Sequence, residues 1–235
     1  MIAAVRRALI VAAVVVQASA ASAQNAPSAA DPLLDMQAIS LALGVRCEYC
    51  HVARRGEPPA VAPSGKPKQQ VAREMIAMTR ELNARVQAAA DKPATDATPV
   101  TCVTCHRGVP IPRQLSEIII RTLREKGAAE AAAQYRELRK EFYGRQSYDF
   151  GEAELLGVAT RLAQGRPDDA LALLQLNLEF YPQSARSYIT MAQAYTRKLD
   201  DASAIKSLEK ALEIEPENGV VKGQLAQLQR YQRNR

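Results

Sequence analysis

The sequence predicts an all-α protein, with a loop-rich first region and a short helical stack behind it. Three observations carry this. Apolar residues recur at helical spacing through the second half of the chain. Strand signals are few. A pattern of small and apolar residues also returns at a fixed interval: Ala170, Leu174 and Pro182 recur 34 positions later as Ala204, Leu208 and Pro216.

The elements follow in order. Arg6 and Arg7, the apolar run from Ala8 to Val16, and Ala21-Ser22-Ala23 have the arrangement of a secretory signal peptide over residues 1–23, cut before Gln24. The run is far shorter than the roughly 20 residues that span a bilayer; an uncleaved anchor is the competing reading. Leu33 to Leu43 has a helical pattern, with Gly44 as its C-terminal stop. Arg54 to Gln69, rich in proline and glycine, should be irregular, as should Asp91 to Pro99. Between them Val71 to Val86 predicts a helix with Met75, Met78 or Thr79, Leu82 and Val86 on one side. Arg107 to Arg113 reads as the exit from the first region. Leu115 to Tyr143 predicts a helical pair, because Gly127, Ala132 and Gly144 stand 38 positions before Gly165, Ala170 and Pro182. Gly151 to Ser184 and the unit after it, with Tyr188, Met191, Ala192, Tyr195, Ala204, Leu208, Ala211 and Pro216, resemble tetratricopeptide repeats (TPR). In such repeats small residues let paired helices pack closely. Gly219 to Gln232 reads as a cap helix, and about three units suffice to bury a continuous core. An ordinary helical bundle is the alternative.

The chemistry lies in two short motifs, Cys47-Glu48-Tyr49-Cys50-His51 and Cys102-Val103-Thr104-Cys105-His106, which together use all four cysteines and both histidines. Cys-x-x-Cys-His is the pattern of c-type haem attachment. Two thiols one helical turn apart can bond the two vinyl groups of a haem, and the adjacent histidine can reach the iron from one face. A four-cysteine zinc site is the rival, but its pairs usually lie closer than the 55 positions from Cys47 to Cys102, and it needs no histidine after each pair. Oxidation to disulfides is a second rival in an exported chain. Export suits haem, because c-type haem is attached outside the cytoplasm.

With both histidines used, the other face of each iron needs a different ligand. Methionine with histidine gives a six-coordinate, high-potential centre suited to electron transfer. Met36 shares a helix face that leads through Gly44 towards Cys47, while Met75 and Met78 lie one turn apart ahead of the second motif, where either could serve. Arg46, Arg54, Arg55 and Arg107 flank the motifs and could pair with haem propionates or remain solvated. Glu48 and Asp149 are carboxylates without a paired acid–base arrangement, and no nucleophilic Cys or Ser-His-Asp constellation remains available. The formal charge of +6 is no argument for nucleic acid: the leader takes two positive charges with it, two haems would bring four propionates, and the chain has no Trp and no basic run interleaved with aromatics.

Three stretches together resemble a family: Leu43-Gly44-Val45-Arg46-Cys47-Glu48-Tyr49-Cys50-His51, preceded by Met36; Val71 to Asn83 with its Ala-Arg-x-Met-x-x-Met core; and Val100 to Gly108. They resemble the multihaem cytochrome subunit of photosynthetic reaction centres, and residues 33–113 correspond to one dihaem half of it. The resemblance implies two covalent c-type haems in a dihaem cytochrome c domain over 24–113. The cofactor-binding thiols would be Cys47, Cys50, Cys102 and Cys105, with His51 and Met36 on the first iron and His106 and Met75, rather than Met78, on the second. A connecting helical pair (114–150) and a TPR-like arm (151–235) would follow. The expected function is that of a periplasmic dihaem electron carrier, not an enzyme, passing single electrons to a redox partner protein that the arm docks, with membrane association only through that partner. A redox-sensing scaffold and a dihaem peroxidase are the competing functions; the absence of a distal histidine weighs against the second.

Overall fold

A computed structural model describes residues 32–51, 58, 60–62, 64–90 and 98–234. The predicted leader (residues 1–23), Arg54 and Arg55 lie outside them. The described residues form ten α-helices and no strand, the one bridge being Val61 with Pro67.

The first helix is shorter than its pattern suggests. Pro32–Leu34 is a separate 3-10 turn, and α1 runs over Met36–Leu43. Asp35 makes the break: its Oδ1 accepts from the backbone N–H of Gln37 (2.8 Å) and Ala38 (3.2 Å), satisfying donors at the new helix start. Gly44 closes α1 in the left-handed conformation, φ 63°, as a C-terminal glycine should. The second helix, α2, is longer than expected at both ends and covers Lys68–Ala90. It starts directly after Pro67, whose carbonyl accepts from the Val71 N–H at 3.2 Å. A short helix that the sequence pattern did not suggest, α3 (Cys102–His106), contains the whole second motif.

Beyond residue 113 the chain is helical throughout: α4 (Leu115–Lys126), α5 (Ala128–Phe142), α6 (Glu152–Leu162), α7 (Pro167–Phe180), α8 (Ala185–Arg197), α9 (Asp201–Ile214) and α10 (Gly219–Arg233). Neighbours in sequence pack together as α4 on α5, α6 on α7, α7 on α8, α8 on α9 and α9 on α10. Ser184, Asp200 and Asn218 cap α8, α9 and α10, each side-chain oxygen accepting from the backbone N–H three residues on. Ala170 and Leu174 are buried between α6 and α8, and their partners at the 34-residue interval, Ala204 and Leu208, are equally buried between α8 and α10. In the upstream pair the buried small residue is Ala131, not the expected Ala132, so the register there is displaced by one.

The apolar core is distributed unevenly. Leu115, Ile119, Tyr135, Leu155, Leu173, Leu174 and Met191 belong to one continuous cluster that runs from α4 to α8. The pair α4–α5 is thus joined to α6–α7 by a shared core. Arg136 and Glu179 add a two-pronged ion pair from α5 to α7 (2.6 and 3.0 Å), exposed enough to contribute at most about 1 kcal/mol. A smaller cluster of Ala192, Ala204, Leu208, Ala211 and Val221 continues the stack to α10. Among the described residues before 113 the buried side chains are few: Leu33, Ala42, Ile76, Thr79 and Val109.

Candidate haem-binding site

Each motif forms one tight turn; Cys50 and Cys102 face the apolar cavity between α1, α2 and α3, whereas Cys47 and Cys105 are exposed and do not line it. In the first, Cys47–Tyr49 is a 3-10 turn, and the N–H groups of Cys50 (3.2 Å) and His51 (2.9 Å) both donate to the Cys47 carbonyl. In the second, Thr101 and Thr104 cap α3 reciprocally, the Thr101 N–H donating to Thr104 Oγ1 at 3.0 Å. Arg107 ends α3 in the left-handed region, φ 48°. The next residue, Gly108, donates its N–H to the Ala42 carbonyl of α1 at 2.8 Å, so α1 and α3 are packed together.

The histidine rings are held through Nδ1. His106 Nδ1 lies 3.0 Å from the Val109 carbonyl oxygen, which can only accept; the proton is therefore on Nδ1 and the Nε2 lone pair is free. A hydrogen bond to the far ring nitrogen is what orients a metal-bound imidazole. His51 Nδ1 is 3.0 Å from the amide nitrogen, Nε2, of Gln69 on α2, and Lys68 Nζ sits 3.4 Å above the Tyr49 ring. Asn83, further along α2, forms a pair of bonds with the backbone of Val100, accepting at 2.7 Å and donating at 2.8 Å. Through these contacts α2 spans both motifs.

An apolar cavity of about 200 Å³ opens between α1, α2 and α3. Cys50 of the first motif, Cys102 and His106 of the second, and Met75 all line it, with Ile39 and Leu43 as part of the wall. Met78 and Met36 are not on this wall; they are 50 % and 56 % exposed. Most of the large apolar side chains left open to solvent also belong to this region, among them Leu41, Val61, Met75, Val103 and Ile111. A flat apolar group would find such a surface complementary, so the residues present fit a haem. Burial pushes the Cys102 thiol up from its ordinary value.

The rival chemistries fit less well. All four cysteines are unpaired thiols. Among the described residues no three His, Cys, Asp or Glu side chains converge, so the two Cys pairs do not make a zinc cage. Asp149 turns its Oδ1 onto the Gly151 N–H at 2.7 Å and serves the backbone. Arg46 and Arg107 are exposed beside the motifs. Gln69, Lys68 and Asn83 had no sequence signal, because their partners lie 17 to 19 positions away, beyond the reach of any local pattern.

Two comparisons bear on this geometry. A family model described as "Photosynthetic reaction centre cytochrome C subunit" matches residues 58–150. The match starts after the first motif, takes in α2 and the second motif, and continues over α4 and α5, so it is placed later in the chain than residues 33–113. A photosynthetic reaction center cytochrome c subunit of Rubrivivax gelatinosus is 37 % identical over 70 residues, 29 % of this chain and 16 % of that protein. The chain is therefore similar, over its middle portion, to the cytochrome c subunit of photosynthetic reaction centres, and it spans a small part of that relative's length.

Proposed function

We propose that the chain is a c-type cytochrome that carries two covalent haems and transfers single electrons. The observation that carries the reading is the second motif: two thiols on one turn, followed by a histidine whose Nδ1 is engaged by Val109 and whose Nε2 is free. When bound, haem supplies a one-electron iron couple. The thiols of Cys47 and Cys50, and of Cys102 and Cys105, would tether the two groups. His51 and His106 would take one axial position each. Met75 shares a cavity with His106, which supports it over Met78 as the opposite ligand of the second iron. Met36, at the start of α1, is the proposed ligand of the first. Ile39, Leu43 and Ile76 would exclude water and favour the less charged reduced iron. A thioether filling the sixth position leaves no open site for substrate, which supports a carrier over an enzyme.

The protein would act in the periplasm, with the helical stack docking a redox partner and no role for nucleic acid. Among the described residues no helix is long and apolar enough to cross a membrane, so contact with one would run through that partner. The test is expression with a haem-attachment system. Two haem masses per chain that resist acidic acetone, with low-spin spectra and the weak far-red band of Met-ligated ferric haem, are expected. A chain that takes up zinc and no haem would refute the proposal.

A further inference from the structure

The two histidines differ in what holds them. His106 Nδ1 bonds a backbone carbonyl of its own loop, which no substitution of Val109 removes. His51 Nδ1 bonds a side chain, Gln69, from a different element. We infer that Gln69 is the positioning residue of the first haem, orienting His51 and setting its electron donation to iron; this rests on the haem reading above.

The geometry around Gln69 is built and fixed. Ala62 N–H donates to the Lys66 carbonyl and Lys68 N–H to the Ala60 carbonyl, both at 2.8 Å, so a closed turn delivers the chain into α2. Lys66 and Gln70 are both engaged with Glu74, at 2.9 to 3.0 Å, and Lys68 lies on the Tyr49 ring. Of the residues in this first turn, Gln69 alone faces the His51 ring, half-buried and at 3.0 Å. Its amide has an accepting end and a donating end, exchanged by a half-turn about the terminal bond. The end that faces Nδ1 in the structure is the amide nitrogen, Gln69 Nε2; with Nε2 of His51 given to iron, Nδ1 would carry the proton, and the amide would make that half-turn to present its oxygen. A neutral amide acceptor raises imidazole basicity moderately, a carboxylate more, and an alkyl group not at all.

The experiment is a spectroelectrochemical titration of the full dihaem chain, which resolves two midpoint potentials. Gln69→Glu should lower one of them and leave the other in place, because a more electron-rich imidazole favours ferric iron. Gln69→Leu should raise that same potential. Gln70→Glu adds the same charge one position along, on a side chain directed to Glu74 rather than His51, and should shift neither potential by as much. A chain without the second haem, made by Cys102→Ser with Cys105→Ser, should retain the Gln69 effect. Equal shifts from Gln69→Glu and Gln70→Glu, shifts of one sign for Glu and Leu, or no shift would overturn the inference while the haem reading stands. A chain that carries no haem overturns both.

Discussion

Replacing Gly44 with Ala is the sharpest test of how the first region is held together. Gly44 sits at φ 63°, where a residue with a Cβ is disfavoured by about 1–2 kcal/mol. That Cβ would stand 2.2 Å from the Gly108 carbonyl oxygen and 2.9 Å from its carbon. Both are backbone atoms, so the neighbour cannot swing aside; α1 and the chain after α3 must separate. Such overpacking costs about 1–3 kcal/mol. The 2.8 Å bond from Gly108 to Ala42 crosses the same gap, and losing it adds about 1 kcal/mol. The expected loss is about 3–6 kcal/mol, a large part of what a domain commonly has. Gly65→Ala is the control: it has φ 79° and no atom within 4 Å of the added Cβ, so it should show the backbone strain alone. Denaturant unfolding, followed in the haem absorption and by circular dichroism, separates the two. Equal losses for Gly44→Ala and Gly65→Ala would refute the close approach of α1 to the Gly108 backbone.

Other outcomes follow from the same geometry. Met75→Ala should open one iron, making it partly high-spin and able to bind carbon monoxide when reduced, while Met78→Ala should leave the spectra low-spin; Met36→Ala should open the other iron. Cys102→Ala with Cys105→Ala should reduce the haem mass by one group. Ala204→Leu should destabilise the stack by about 1–3 kcal/mol in thermal unfolding, because Ala204 is fully buried where α8 meets α9. A chain ending at Phe150 should bind hydrophobic dyes and aggregate, because the cut runs through the cluster that joins Leu115 and Tyr135 to Leu155 and Leu173.

Local patterns were legible in the sequence; meetings between distant segments were not. Gly44 announced the end of α1, and the Ala170 and Ala204 series announced two packed helix pairs, because turn chemistry and helical period act over a few residues. Asp35 carried a cap signal that moved the start of α1 past Leu33 and Leu34, which the apolar pattern alone had placed inside the helix. The two Cys-x-x-Cys-His motifs were readable because the thiols and the histidine are contiguous. The partners of their rings were not. Val109 is contributed by a loop whose path depends on the left-handed Arg107, and Gln69 is reached only after the chain has turned back on itself at Val61 and Pro67. The shared core of α4 to α8 was likewise hidden, since helical period shows which face is buried and not which helix covers it.

The uneven distribution of buried side chains sets how the two ends of the molecule respond to heat. The stack encloses a long apolar cluster, so its melting should carry a large heat-capacity increment and a curved stability profile. The described residues of the first region enclose few apolar side chains, and its polar bonds, such as Asn83 to Val100, are scattered. In the proposed cytochrome the tethered haems would supply the apolar contact that these side chains do not. Calorimetry of the unloaded chain should therefore show one cooperative peak from the stack and little from the remainder. Attachment of the prosthetic groups should add a second peak without moving the first.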